Sequence, residues 1–251
     1  YDTGFRAGID VLHDYGTRFG YGVKTGIDLP AEAQGIMPSR DWKRGVRGRA
    51  WYPGDTINVS IGQGFMLATP LQMAVAVSRL ATRGEVHKPK LVKRIGSETT
   101  PVESQPAMAK IPDRYWDLVL DSMAGVVRDL RGTARRAIGK IDYTMAGKTG
   151  TAQVVGIKQD EKYDASKLAK LQLDHALFIA FAPAENPRIA VAVIVENGEH
   201  GSSTAAPVAR DVINAYFNYY PELLDVGESE GAEGNALLAP SNPVENAHES
   251  G

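Results

Sequence analysis

The sequence contains no cysteine among its 251 residues. This absence excludes a thiol nucleophile, disulfide bonds and cysteine-ligated zinc, and it is compatible with an oxidising compartment. The five histidines form no pair spaced for one helix face, so the sequence predicts no metal site, and we expect no cofactor. No apolar run of the sequence approaches the roughly 18 residues that a transmembrane helix requires.

An excess of charge of one sign is also missing. The formal net charge is −2, from 28 basic and 30 acidic residues. Six of the acids lie in residues 225–251, which contain no Lys or Arg, so residues 1–224 are mildly basic. That excess is too small for a nucleic-acid-binding protein, whose basic groups cluster strongly on one face. We therefore expect no nucleic-acid partner, while a hydrophobic content of 43% supports a real core.

The most informative stretch that is present is 146–153, Ala-Gly-Lys-Thr-Gly-Thr-Ala-Gln. Alternation along a strand places Thr149 and Thr151 on one face and Lys148 on the other. Gly150 has no side chain, so a substrate backbone can lie close against the strand. Two hydroxyls and an ammonium group can bind one carboxylate, and a backbone N–H can point at an oxyanion. The pattern predicts an active-site strand for an acyl donor that carries a carboxylate.

The Lys-Thr-Gly triplet alone is not specific, because it occurs twice. The other copy, Lys24-Thr25-Gly26, is followed by Leu29-Pro30 and predicts a turn. A phosphate-binding P-loop would need a glycine five positions before Gly147, where the sequence has Asp142. The stretch 141–145 before the motif is also strand-like, so we reject the P-loop.

The first 68 residues are rich in glycine, and only a short helix near residues 9–19 is predicted there, with irregular structure after it. The basic run in this part favours a solvated loop, and a contact with an anionic polymer or lipid headgroups is the alternative. Its members are Arg40, Lys43, Arg44, Arg47 and Arg49.

Two helices are marked more clearly. Thr69 suits the N-cap, Pro70 the first helical position and Gln72 the capping-box position, and Gly84 can end this helix. A second helix is predicted over 113–130, from an apolar stripe at helical spacing.

The remainder predicts a sheet and its cover. Two apolar runs, 175–183 and 188–196, are joined by a short turn and predict a hairpin whose two faces are both covered. A helix over 205–217 is predicted to cover one face. Residues 158–173 form a charged connector, and from Asp225 onward the composition favours disorder.

With these pieces placed, the sequence resembles the transpeptidase domain of class B penicillin-binding proteins over roughly residues 1–217. The stretches 174–183 and 206–211 are similar to the elongation type of this family rather than the division type. The motifs that carry the resemblance, in order, are Ile61-Gly-Gln-Gly64, Ala68-Thr-Pro-Leu-Gln-Met73, Gly132-Thr-Ala134 and the active-strand motif at 146–153.

This resemblance implies an α/β fold, similar to that of β-lactamases, with a five-stranded antiparallel sheet flanked by helices. It implies a peptidoglycan D,D-transpeptidase that cross-links stem peptides through a serine acyl-enzyme and is acylated by β-lactams. Lys148 would place positive charge beside the substrate carboxylate. Thr149 and Thr151 would hydrogen-bond that carboxylate, with Gly150 between them, and the N–H of Thr151 would form half of the oxyanion hole.

The sequence departs from the family pattern because no serine has a lysine three residues later. The second motif of the family is Ser-x-Asn or Ser-x-Asp, and Ser39-Arg40-Asp41 fits its letters but lies in the basic run. We therefore expect residues 1–222 to be the C-terminal part of the transpeptidase domain, without its nucleophile, followed by an acidic, disordered tail over 223–251. A serine β-lactamase, or a β-lactam-binding sensor or scaffold on the same fold, is the alternative function.

The resemblance also implies a setting for the protein. We expect a bacterial inner-membrane anchor upstream, a catalytic domain in the periplasm, and a glycosyltransferase and scaffold proteins of the elongation machinery as partners. Gln63 is interpreted either as part of the acceptor side of the cleft or as a turn residue. His175 is predicted to be a hydrogen-bonded core histidine. Aromatic residues 42, 51 and 52 are predicted to pack a long loop, with stacking on sugar rings as the alternative.

Overall fold

The computed structural model describes residues 1–101, 105–108, 111–154 and 170–224. The tail from Asp225 and most of the predicted charged connector lie outside these ranges. The helices and strands are α1 (Asp2–Arg18), α2 (Arg40–Arg47), α3 (Pro53–Ser60), α4 (Pro70–Ala81), β1 (Arg94–Ile95), β2 (Glu98–Thr99), α5 (Asp113–Arg128), α6 (Arg135–Ile138), β3 (Ala146–Ala152), β4 (His175–Ala182), β5 (Ile189–Val195) and α7 (Ala206–Tyr219).

The first 68 residues contain more helix than the sequence predicts. Helix α1 begins at Asp2 and is kinked at Gly8. This glycine adopts a φ of 79° and a ψ of 162°, which it can do because it has no Cβ. The predicted irregular structure is wrong over α2 and α3, two helices of 8 residues each. Ser39 is the N-cap of α2 and accepts a hydrogen bond from the N–H of Trp42, so this serine has a structural role.

The predicted solvated loop at the basic run is also wrong, because one of its cations is buried. The side chain of Lys43 is only 5% exposed and its Nζ lies 2.5 Å from a carboxylate oxygen of Asp55. The same ammonium lies over the rings of Tyr52, Phe65 and Trp51 at 4.7, 5.4 and 5.8 Å. Lys43 belongs to α2 and Asp55 to α3, so this buried ion pair joins the two short helices.

The aromatic residues of this region pack against one another, as predicted. The rings of Trp42 and Trp51 lie 5.5 and 6.4 Å from the ring of Phe65. Trp51 also donates a hydrogen bond from its indole to the hydroxyl of Thr56.

Helix α4 begins as the sequence predicts. Thr69 and Gln72 form the capping box, with hydrogen bonds of 3.0 and 3.1 Å between each side chain and the other's backbone N–H. The buried amide of Gln72 also donates to the carbonyls of Val23 and Gln34 at 2.7 and 2.6 Å. This one side chain therefore fixes both the start of α4 and the loop that packs on it.

The sheet is antiparallel in the order β3-β4-β5, and the predicted hairpin is confirmed as β4 and β5. The resemblance implies five strands, but the sheet within the described ranges has three, which are those located from sequence. Strands β1 and β2 form a separate ribbon of two residues each and do not extend it. Strand β3 begins at Ala146, so the predicted extended entry over 141–145 is wrong.

Helices pack on both faces of the sheet, as expected. On one face α7 covers β4, and the core there includes Phe178, Ile138, Ala209, Ile213 and Phe217. On the other face Ala146 and Phe181 pack with Val77 and Ala81 of α4 and with Met123 of α5. Strand β5 is less enclosed than predicted, with only Val191 buried. No strand of the described ranges pairs with its outer edge.

A π-helical turn, Gly201–Ala205, leads into α7 and presses on the sheet. A Cβ built at Gly201 would lie 2.2 Å from the carbonyl oxygen of Leu177 and 2.5 Å from that of Gly150. Only glycine can approach two strands this closely. None of the helices in the described ranges combines the length and the apolar character needed to cross a bilayer.

Candidate active site

A cleft with a volume of about 620 Å³ lies along the edge of β3 that β4 leaves free. One wall is β3 itself and the facing wall is the loop 61–64 between α3 and α4. Apolar side chains of the neighbouring strands and of α4 also line it: Leu177, Ile179, Ile194 and Met73. The cleft therefore brings together three of the motifs that carry the family resemblance, at 61–64, 68–73 and 146–153, the first and last of which lie more than 80 residues apart.

The side chains of β3 alternate as the sequence predicts. Thr149 pairs with Phe178, which lies in the core beneath α7, whereas Lys148 pairs with Ile179 on the face of α4. The hydroxyl of Thr149 lies 3.4 Å from the hydroxyl of Thr133. Thr133 was not among the predicted site residues, although its Gly-Thr-Ala motif was recognised as a signal.

The free edge of β3 presents backbone groups to the cleft. The carbonyl oxygen of Thr151 accepts a hydrogen bond from the side-chain amide of Gln63 at 3.2 Å, and so points toward the cleft. In an antiparallel pair the N–H and C=O of one residue point to the same edge. The N–H of Thr151 therefore faces the cleft, where it can donate to an oxygen atom of a ligand.

Lys148 reaches the same edge from the other face. Its ammonium group donates to the carbonyl oxygen of Thr149 at 2.7 Å, and the side chain is exposed. An ammonium has three donors, so two remain for a ligand. Among the described residues that line the cleft there is no Asp or Glu. The cleft thus offers one positive charge and two threonine side chains without a competing acid, an arrangement suited to an anion.

Tyr21 and His175 also line the cleft. Burial raises the pKa of Tyr21, so this phenol stays neutral at physiological pH. His175 accepts a hydrogen bond at Nδ1 from the N–H of Asn197 at 2.9 Å. The ring is therefore hydrogen-bonded, as predicted, but it is half-buried and faces the cleft instead of lying in the core.

The second Lys-Thr-Gly triplet lies outside the cleft and outside the helices and strands, as predicted for a turn. The Glu32 carboxylate accepts hydrogen bonds from the N–H and hydroxyl of Thr25 at 2.7 and 2.6 Å and from the N–H of Gly26 at 3.1 Å. Burial acts to raise the pKa of Glu32, but these hydrogen bonds outweigh burial and lower it. This copy binds a carboxylate of its own chain and is not available for a ligand.

No group of His, Asp and Glu side chains within the described part of the chain could hold a metal ion. The cleft can bind a carboxylate along β3 and polarise a carbonyl group with the Thr151 N–H.

The family model of the penicillin binding protein transpeptidase domain matches residues 2–214. Among curated proteins, the peptidoglycan D,D-transpeptidase MrdA of Haemophilus influenzae is 42% identical over 222 residues. That match covers 87% of this chain and 34% of the relative, so the chain spans about a third of its length.

Solved structures agree with the sequence comparison. Pseudomonas aeruginosa PBP2 in complex with WCK 5153 is 44% identical, with a TM-score of 0.76, over 86% of this chain and 46% of that chain. Helicobacter pylori PBP2 in complex with MreC is 30% identical, with a TM-score of 0.73, over 87% of this chain and 38% of that chain.

Proposed function

Because this chain belongs to the penicillin-binding protein transpeptidase family, we propose that it forms one wall of the active site of a peptidoglycan D,D-transpeptidase of cell elongation. The observation that carries the proposal is the free edge of β3. There Lys148, Thr149 and Thr151 meet a cleft that has no acidic side chain among its described lining residues.

In this proposal the cleft holds the terminal carboxylate of a stem peptide. The ammonium of Lys148 and the hydroxyls of Thr149 and Thr151 bind the carboxylate, with Gly150 giving the peptide backbone room to lie beside the strand. The N–H of Thr151 donates to the oxygen of the penultimate D-alanine carbonyl group. Losing one such donor costs about 10²–10³ in rate.

The nucleophile of the reaction is a serine. Its Oγ bonds to the carbonyl carbon, the peptide C–N bond breaks, and the hydroxyl proton ends on the amine of the departing D-alanine. An amine of a second stem peptide then takes the acyl group. No Ser-x-x-Lys occurs in these 251 residues. We propose that this motif, the second serine motif and the two further strands belong to a part of the protein that precedes Tyr1.

We also propose a setting for the protein. An upstream inner-membrane anchor would hold the catalytic domain in the periplasm, where the stem peptides are. The complex of the Helicobacter pylori relative with MreC supports a scaffold protein as one partner. A glycosyltransferase of the elongation machinery, which would supply the strands to be cross-linked, is proposed as another.

Covalent labelling tests the proposal. The intact protein is incubated with a fluorescent penicillin, and peptide mass spectrometry locates the modified residue. We expect a slowly hydrolysed acyl-enzyme on the serine of a Ser-x-x-Lys motif, and cross-linked product when a stem-peptide donor and an amine acceptor are supplied. The 251 residues alone serve as the control, and they should form no covalent adduct.

Three results would contradict the proposal. An adduct on a residue within the 251 residues would place the nucleophile elsewhere. Rapid turnover of penicillin would indicate a β-lactamase, because that enzyme hydrolyses its acyl-enzyme quickly. A stable adduct without any cross-linked product would indicate a β-lactam sensor.

A further inference from the structure

The loop that faces β3 across the cleft is held in one conformation. Gly62 and Gly64 have φ values of 77° and 73°, in the left-handed region that favours glycine. The N–H groups of Gly62 and Gln63 donate to the carbonyls of Val59 and Asn58 at 2.9 and 3.0 Å, at the end of α3. Gln63 is thus the one side chain between two glycines, on a backbone that is tied to a helix.

The Gln63 side chain crosses the cleft. Its Nε2 donates to the carbonyl oxygen of Thr151 at 3.2 Å, although the two residues are 88 positions apart in sequence. The N–H of Thr151, which would polarise the acyl carbonyl, belongs to the same residue and points to the same edge. The amide of Gln63 therefore lies beside the position where the acyl group would be attacked.

One polar atom of this side chain has no partner. The Oε1 of Gln63 makes no hydrogen bond with the described residues, and the side chain is half-buried at the cleft. An amide oxygen accepts hydrogen bonds, and the amide does not titrate near neutral pH. Gln63 therefore cannot act as a general base, but it can receive an N–H from a second molecule in the cleft.

We propose that Gln63 binds the acceptor amine of the second substrate, through Oε1, while Nε2 stays on Thr151. This inference rests on the proposed transpeptidase function and assigns the acceptor side of its cleft. In the step that follows, the amine nitrogen bonds to the acyl carbon, and the ester C–O bond breaks with its electrons on the serine oxygen. The proton that the amine loses ends on that oxygen.

The consequence is a preference for amine over water as the attacking group. An amine held by Gln63 is oriented toward the acyl carbon, and while it is bound it occupies the place from which water would attack. A single hydrogen bond of this kind changes a competition by roughly five- to tenfold. The measurable quantity is the ratio of aminolysis to hydrolysis of the acyl-enzyme.

The experiment uses the intact protein with an N-acylated D-alanyl thioester as the acyl donor and D-alanine as the amine. The amide and acid products are quantified by chromatography with mass detection, and acylation by fluorescent penicillin is measured separately. Gln63→Ala removes both hydrogen bonds, and Gln63→Lys keeps a donor for Thr151 but has no acceptor. Gln34→Ala is the matched control, since Gln34 likewise donates its amide to a backbone carbonyl, that of Gly22, and neither residue lines the cleft.

We expect both Gln63 variants to lower the product ratio roughly five- to tenfold, a larger factor than any loss in the rate of acylation by penicillin, with Gln34→Ala unchanged in both respects. A wild-type ratio in either Gln63 variant would overturn the inference. If the ratio is wild-type in Gln63→Lys but reduced in Gln63→Ala, Gln63 only holds β3 in place and does not bind the amine. The same conclusion follows if the variants are acylated more slowly at an unchanged ratio. If the wild-type protein forms no acyl-enzyme with penicillin, the proposed function itself fails.

Discussion

The contact of Gly201 with the sheet predicts that Gly201→Ala slows acylation although the residue lies outside the cleft lining. The added Cβ would lie 2.2 Å from the carbonyl oxygen of Leu177 and 2.5 Å from that of Gly150. Both are backbone atoms, so neither can rotate away. Relief of the overlap requires the π-helical turn and the strand pair to separate by about 1 Å, and Gly150 lies between Thr149 and Thr151.

A displacement of about 1 Å at a reacting group costs on the order of 10² in rate. We therefore expect the second-order rate constant for acylation of the intact protein by fluorescent penicillin to fall about 10²-fold. Overpacking also costs about 1–3 kcal/mol of stability, so the thermal midpoint should fall by several degrees. Acylation is measured well below that midpoint, so that unfolding does not contribute to the loss.

Gly45→Ala is the matched control. Gly45 lies within α2, and a Cβ there would meet no atom within 4 Å, so acylation and melting should stay at or above wild-type values. The reasoning is refuted if Gly201→Ala acylates at the wild-type rate. It would then be clear that the turn can move without shifting the active edge of β3.

Three further predictions concern single side chains. Thr149→Val removes a donor to the substrate carboxylate and should reduce penicillin acylation of the intact protein about 10- to 100-fold, as followed by gel fluorescence. Asp55→Ala leaves the buried Lys43 ammonium without its partner and should lower the free energy of unfolding by about 3 kcal/mol in urea titrations. Tyr143→Phe loses the hydrogen bond to Asn214 and has no phenol to titrate. Its melting temperature should therefore fall less than that of the wild type between pH 10 and about 12.

The pH window for Tyr143 follows from the sign of its shift. Burial raises the pKa of Tyr143 to about 12, whereas the unfolded chain titrates near 10. The stability from the neutral phenol is therefore complete below pH 10 and is lost as the pH rises toward 12. A variant that loses stability over this window as steeply as the wild type would contradict the assignment.

The other two predictions have their own controls. Asp41→Ala breaks an exposed ion pair with Arg44 and should change the free energy of unfolding by less than about 0.5 kcal/mol. If Asp55→Ala changes the free energy of unfolding as little as Asp41→Ala does, the buried Lys43 ammonium does not depend on its ion pair with Asp55. Unchanged labelling of Thr149→Val would count against carboxylate binding by this hydroxyl.

Features of the fold that depend on local signals could be predicted from the sequence. The capping box of Thr69 and Gln72 acts within one helical turn, so neighbouring residues determine where α4 begins. Two apolar runs and a short turn likewise predict the hairpin of β4 and β5. The active strand could be located from its motif. Alternation along a strand then places the side chains of Lys148 and Thr149 on opposite faces.

Features that depend on distant partners could not be predicted. The basic run favours a solvated loop unless Lys43 is known to meet Asp55 and three aromatic rings, and periodicity does not reveal that meeting. The hydrogen bond between Gln63 and Thr151 spans 88 positions, so the sequence left two interpretations of Gln63 open. The close approach of Gly201 to the sheet depends on the fold of α7 and has no local signal at all.

The outer side of β5 has a consequence for work on these residues in isolation. Ile189–Val195 is an uninterrupted run of valine, isoleucine and alanine, without a lysine or proline to discourage an added strand. Its backbone donors and acceptors on that side form a template that a second molecule can extend. We expect self-association along this side of β5 to limit the solubility of the 251 residues on their own.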